Sequence, residues 1–541
     1  MALNPALPAS WPLRGVLWGA ALLLCAPLLF LALRPGEVPP GLWAHLREVM
    51  LPQAMAQTGI LLAGVGLASL LLGIGFAWLV VRHDFPGRRL LEPALALPLA
   101  FPAYVLAYVY VAGMAFDAPL AGYWRSLGLP AAAFPEVRSL SGAVLVLTLS
   151  LYPYIYLLMR ASLLRQGNAA YEAARTLGAG PAAAFYRAVL PATQVAWLGG
   201  LGLVLLETLA DFGAMRMLGR DTLTTLVLQS WIGLGSLALA AQLALAMLAA
   251  VVLVLGLLLV RRRRLPLPGA GSRPLERKPL SGARAGLATL AATLVVGLGV
   301  VWPFSQLLLW LPWHDLAAAM PWAAMRATLL ISGLAALAAV LIGLGFAAVR
   351  RRFPQDRLLA AAESLAGLGY AVPGAVMAVA VFWLLSSAEQ ALGPWAAGLS
   401  TGLLALVLAL LMRFQRVGLT AVAAALTALR PSLMQSAALL GMSAPMRWWR
   451  VGLPVLRPGL IAAFLLVFVE AMKELPATLM LRPFGWDTLA IEVYTRTAEG
   501  LWREAAVPAL MLAFVGLLPV LLLLRDGASG RRPSASGGMH R

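Results

Sequence analysis

The sequence predicts an all-α integral membrane protein of about twelve transmembrane helices in two parallel six-helix repeats. Three observations carry that prediction. Of 541 residues, 61% are hydrophobic and only 12% charged, where soluble chains hold about 25% charged residues. Apolar runs long enough to span a bilayer, roughly 20 residues, recur along the whole chain. A polar interruption containing Glu172 recurs 263 residues later at Gln435, with its internal spacing kept.

In chain order the apolar runs lie near 15–33, 59–81, 94–115, 140–159, 193–215 and 236–260. The second set lies near 286–311, 327–349, 367–386, 396–412, 456–480 and 506–524. The first run follows Arg14 and is too long for a signal-peptide core, so it reads as a retained span. Between the sets, Arg261-Arg262-Arg263-Arg264 opens a proline-bearing basic segment that reads as a linker. The expected organisation is a first half over 1–260, a cytoplasmic linker over 261–285, a second half over 286–525 and a cytoplasmic tail over 526–541. Six spans per half send both halves into the membrane in the same direction, as parallel repeats with a transport path between them.

The charge of +19 would suit a nucleic-acid partner, but its placement argues against one. Lys278 and Lys473 are the only lysines, and the arginines crowd the short segments between apolar runs. With the N-terminus inside, basic residues outnumber acidic ones about four to one in the cytoplasmic segments. That bias puts both termini, the linker and both polar loops in the cytoplasm. One cysteine, Cys25, excludes an intrachain disulfide, and His45, His83, His314 and His540 lack metal-ligand spacing.

The duplicated loop has its own local logic. Asn168 is placed to cap a short helix through Glu172, Ala173 and Ala174, with Gly178 ending it and Pro181 opening the next. Leu190-Pro191 leads into the fifth span. The second copy keeps the register as Gln435-Ser436-Ala437, Gly441 and Leu453-Pro454, with Pro431 or Ser432 starting its helix. An ordinary amphipathic connector explains one such loop. Two at one register point to a partner met twice.

This spacing resembles the cytoplasmic "EAA" loop of permease subunits of binding-protein-dependent ABC importers. The resemblance implies the type I importer permease fold, with both loops seating in ATPase subunits. It carries that role to Glu172, Ala173, Ala174, Gly178, Leu190 and Pro191, and to Gln435, Ser436, Ala437, Gly441, Leu453 and Pro454. The second loop lacks the acid, which makes the two contacts unequal. Phe101 to Tyr110, Glu207 to Gly213 and Met472 to Thr478 look like the fused ferric-iron permeases. Ferric iron is the substrate this implies; thiamine, phosphonates and polyamines are carried by related permeases. Expected partners are two ATPase copies, a periplasmic binding protein and membrane lipid, in a cell inner membrane.

Inside the spans, Glu207 and Asp211 are four residues apart, as are Glu470 and Glu474 at the same offset of 263. An ionised acid at mid-bilayer costs about 2.5–3.5 kcal/mol, so such groups face protein or water. They are the candidate pathway or gate residues, as an acidic lining for a hard cation. The other reading has them bonding helix ends or arginines, with Lys473 neutralising one. Tyr104, Tyr108, Tyr110, Tyr152, Tyr154 and Tyr156 read first as packing groups and second as phenolate ligands, and no residue is assigned to metal.

Neither lysine follows a glycine in a phosphate-cradling loop. The chain is therefore expected to be no enzyme and to bind no cofactor, with ATP and magnesium on a separate subunit. A proton-driven secondary transporter would share the topology and use Glu207 or Glu470 as proton sites, but gives no reason for paired loops.

Overall fold

The computed structural model of the chain describes residues 10–34, 36–166, 169–262 and 277–529. The expected cap Asn168, linker residues 263–276, the tail beyond 529 and His540 lie outside them.

Among the described residues the chain is helical apart from one short parallel pairing, His83–Asp84 with Lys278–Pro279. Nine helices are long and apolar enough to cross a membrane, and eleven if two bent pairs each count as one span. The first pair, Arg88–Ala100 with Ala103–Gly113, bends by 94°. Pro102 explains the break: it lacks an N–H and forces Phe101 out of the helical region, to φ −88° and ψ 126°. The second, Pro181–Ala192 with Gln194–Ala210, bends by 72° at Thr193. That hydroxyl donates back to the carbonyls of Val189 and Leu190, a bond that competes with the helix ladder.

Several helices outrun the apolar stretches that announced them. Leu140–Gln166 and Leu403–Leu426 continue past the ends expected near residues 159 and 412. Hydropathy marks where lipid contact stops, and these helices pack mostly against protein, so their polar turns remain helical.

Helices before residues 263–276 pack against helices after them. The first helix, Ser10–Leu33, packs on Arg357–Ala366 and Gly374–Leu392 of the second half. Its indole neighbours and leucines join the core built from 327–419. The second half's leading helix, Gly282–Val296, packs in return on Arg88–Ala94. There Thr289 donates to the carbonyl of Pro86 at 2.9 Å, and farther along Tyr110 donates to that of Leu298 at 2.9 Å.

Corresponding capping contacts occur in each half. The hydroxyl of Thr58 accepts from the N–H of Leu223 at 3.1 Å, and that of Thr328 from Leu489 at 2.8 Å. Leu223 and Leu489 each open a short helix, as the third residues of the matching runs Asp221-Thr222-Leu223 and Asp487-Thr488-Leu489. A buried helix start needs such an acceptor, because its first N–H groups have no partner within the helix.

Candidate functional site: two matched loops and a charged cavity

The two loops close with the same backbone hydrogen bonds. Ala169–Thr176 holds Glu172 and Ala173 on its exposed side, with Ala174 half-buried. It ends on Gly178 at φ 87°, where Gly178 donates to the carbonyl of Arg175 and Ala179 to that of Ala174. This is the paired closure of a left-handed glycine cap. In the second copy Pro431–Leu439 ends on Gly441 at φ 78°, with Gly441 donating to Ala438 and Met442 to Ala437. Gln435 and Ser436 are exposed, while Ala437 is buried.

The match continues beyond the cap. Pro181–Ala184 passes into a π-helical turn, Phe185–Val189, before Leu190–Ala192. Ala444–Arg447 passes into a π-helical turn, Trp448–Gly452, before Leu453. Pro191, Leu453 and Pro454 are exposed and Leu190 half-buried. Each loop presents a short helix, a turn and a second helix, which runs on unbroken to Lys473 in the second copy and through the 72° bend at Thr193 in the first.

Those helices end at the four acids. All four line a single cavity of ≈ 130 Å³, with Tyr104, Tyr154, Arg413 and Lys473. Sequence spacing put Asp211 on one helix face with Glu207, and Glu474 with Glu470. The structure corrects this. The helices stop at Ala210 and Lys473, and both Asp211 and Glu474 are extended. Each turns to cap the next short helix. Asp211 accepts from the N–H groups of Ala214 and Met215 at 2.8 and 3.3 Å; Glu474 accepts from Ala477 and Thr478 at 3.1 and 3.0 Å. Glu470 sits 3.5 Å from Lys473. Glu207 faces the same space. Two of the acids thus hold helix ends and two face the cavity.

The cap at Glu474 is tightly fitted. A Cβ on Gly374 would collide with its Oε1 and lie 3.1 Å from Pro476. We expect Glu474→Ala to cost about 1–2 kcal/mol by leaving two buried N–H groups unpaired, and Gly374→Ala to cost a similar amount by displacing the carboxylate. Thermal inactivation in detergent checks both; a midpoint unchanged in both variants would contradict the capping role.

The tyrosines divide the same way. Tyr108, Tyr110, Tyr152 and Tyr156 donate to the carbonyls of Trp502, Leu298, Leu95 and Glu92, so they pack and pin helices. Tyr104 and Tyr154 line the cavity, and the Tyr104 hydroxyl is buried with no hydrogen-bond partner. No group of three or more His, Cys, Asp or Glu side chains among the described residues is placed to hold a metal ion.

Arg413 is the cavity residue that sequence reading missed. It falls one residue beyond an apolar run taken to end near 412, and so looked like a cytoplasmic loop arginine. It lies in mid-helix, donating to the carbonyl of Val372 at 3.2 Å. The signal was present as an arginine followed by further helix-compatible apolar residues.

Residues 69–265 match the family of binding-protein-dependent transport system inner membrane components. The chain is 29% identical over 515 residues to Fe(3+)-transport system permease protein FbpB 2 of Haemophilus influenzae, an alignment covering 92% of this chain and 95% of that relative. This chain is an ABC importer permease. The permease is also 36% identical over 160 residues to molybdenum transport system permease protein ModB of Escherichia coli, covering 27% of this chain and 63% of that protein. A probable sulfate transport system permease protein cysT of Nephroselmis olivacea is 30% identical over 167 residues, covering 30% of this chain and 57% of its own. The permease therefore spans under two thirds of these two relatives' length.

Proposed function

We propose that this permease carries ferric iron inward across the inner membrane, and that the loops at Glu172 and Gln435 each seat one of two ATPase subunits. The observation that carries the docking assignment is the shared geometry of the two loops, down to the glycine cap and the π-helical turn. In this reading the helix Ala506–Ser529 completes twelve spans in two parallel repeats of six, with both termini cytoplasmic. A periplasmic binding protein delivers the substrate from the other side. Closure of the ATPase pair moves the two loops together, and the halves rock about the cavity as rigid bodies.

Iron is supported by the relative whose alignment runs nearly end to end, and by cavity chemistry. Ferric iron is a hard cation that prefers oxygen ligands, and the cavity offers carboxylates and phenols. Among the described residues its acids form no group of three that could hold a metal ion, and Arg413 and Lys473 compete with the cation for them. A transport path needs that weakness, because a site must release what it binds. Glu207→Gln with Glu470→Gln is expected to lower iron uptake at least about tenfold, the loss of one charge-assisted contact or more. ATPase co-purification should be unaffected; uptake at the wild-type rate would remove the cavity from the path.

A second reading, an oxyanion importer, is favoured by Arg413 and Lys473 and by the molybdenum and sulfate relatives. Radiolabelled uptake in a strain lacking this permease separates the two. Restored ferric uptake, with molybdate and sulfate uptake unchanged, is the expected result. Restored oxyanion uptake without iron would overturn the assignment.

A further inference from the structure

A groove of ≈ 790 Å³ lies where the helix Leu51–Arg82 meets the first loop and the returning linker strand. Its floor is apolar and aromatic. Trp78 packs against Tyr171 and Phe185 with ring centroids 5.7 and 4.7 Å away, and Leu70, Leu71 and Ile74 continue it along the helix. Leu71 is 67% exposed, on a helix long and apolar enough to cross a membrane. A second hollow of ≈ 280 Å³, lined by Leu71, Gly75 and His83 among others, adjoins it. From Leu71 to His83 the trough runs about 18 Å at 1.5 Å per residue.

The mouth of the groove is cationic. Arg82 lies over the Tyr171 ring at 4.7 Å, and exposed Lys278 and Arg284 come from the segment after the linker. No lining residue is a carboxylate. The pairing of His83–Asp84 with Lys278–Pro279 brings the two sides of the mouth together. Nδ1 of His83 is shielded from solvent and has no hydrogen-bond partner. Burial, Arg82 and Lys278 hold its imidazole below the usual range, so it is neutral at pH 7 and adds a polar contact without a charge.

We propose that this groove binds an anionic phospholipid of the cytoplasmic leaflet, its headgroup at the exposed Lys278 and Arg284 and an acyl chain along the trough past Trp78 and Gly75. The volume is that of a ligand site, and basic pockets between spans at the cytoplasmic surface suit acidic headgroups. The linker itself is a poorer occupant, since residues 263–276 carry Arg263, Arg264 and Arg273 against one acid, Glu276. Because Tyr171, Phe185 and Leu190 of the groove belong to the first loop, a bound lipid would brace one ATPase contact and not the other. The proposal rests on the cytoplasmic placement of that loop.

The test is native mass spectrometry of the purified permease with equimolar phosphatidylglycerol and phosphatidylcholine. Each basic side chain at an anionic surface is worth about fivefold, so Lys278→Gln with Arg284→Gln should weaken phosphatidylglycerol retention about 30-fold. Gly75→Phe should displace the lipid from the other end, since a Cβ there meets nothing within 4 Å and the ring fills the trough. Equal retention of the two lipids, unchanged retention in both variants, or full displacement by millimolar inorganic phosphate would overturn the proposal. So would retention that rises when residues 265–274 are deleted, which would make the linker the occupant. ATPase co-purification from the same preparation reads the docking assignment separately: lipid lost with ATPase retained bears on the groove alone.

Discussion

Replacing Gly178 by proline is expected to abolish uptake while the permease still accumulates in the membrane. Gly178 sits at φ 87°, and proline is held near −65°. Its N–H also donates to the Arg175 carbonyl, a bond proline cannot make. The misfit costs about 3 kcal/mol or more, enough to reshape the turn between the two short helices. No atom lies within 4 Å of the place a Cβ would occupy, so the damage stays local and the buried core is untouched. Gly178→Ala keeps the N–H and should cost only about 1–2 kcal/mol, with partial uptake. Gly441→Pro should reproduce the defect from the other loop, since that glycine makes the corresponding bonds. Transport in vesicles, normalised to permease in the membrane fraction, checks all three. Wild-type uptake by Gly178→Pro would mean that the loop's shape does not matter.

The largest expected effect on stability is at Glu92. Its carboxylate accepts from Arg88 on its own helix and from Arg160 on Leu140–Gln166, each at 2.5 Å. The three side chains are only 7–13% exposed. The backbone carbonyl of Glu92 also accepts from Tyr156 at 2.6 Å. The cluster fixes the bent helix pair at Pro102 to the helix that lines the cavity with Tyr154. Removing one member of a buried ionic group strands the others, at about 3–5 kcal/mol. Glu92→Ala should therefore lower the thermal inactivation midpoint markedly, whereas Glu172→Ala, on an exposed helix face, should cost no more than about 1 kcal/mol, the scale of an exposed contact. Equal midpoints for the two variants would show that the Glu92 cluster is not buried in the native protein.

The contrast between those two acids shows what the sequence could disclose. Glu172 stands in a polar interruption with fixed distances to a glycine and a Leu-Pro pair, and that pattern is local, so it was legible. So was the recurrence of membrane-length apolar helices, nine to eleven of them among the described residues, because lipid-facing residues must be apolar over a set length. Glu92 was not, since nothing in the spacing joins it to Arg160, 68 residues away. The same holds for His83 with Lys278, whose pairing depends on where the linker returns. Asp211 and Glu474 were legible as acids within the spans, with bonding to helix ends as one of two readings, but the point at which each helix stops was not. Their four-residue spacing from Glu207 and Glu470 fits an unbroken helix, and only the extended backbone at the acids reveals that the helix stops. Arg413 was obscured by the opposite error, a helix longer than its apolar run. Hydropathy reports the environment outside a helix, whereas the cavity is built from the side that faces in.

The central claim is that one permease presents two docking loops. Cross-linking tests it most directly, because Cys25 is the only cysteine and is buried, with its Sγ 3.3 Å from the Leu365 carbonyl. In a Cys25→Ala background, Ala173→Cys and Ser436→Cys each place one thiol on an exposed loop. Purified with an ATPase subunit bearing cysteines around its docking surface, each single variant should trap one ATPase chain, and the double variant two. Trapping by only one loop, or by neither while the ATPase still co-purifies, would contradict the account.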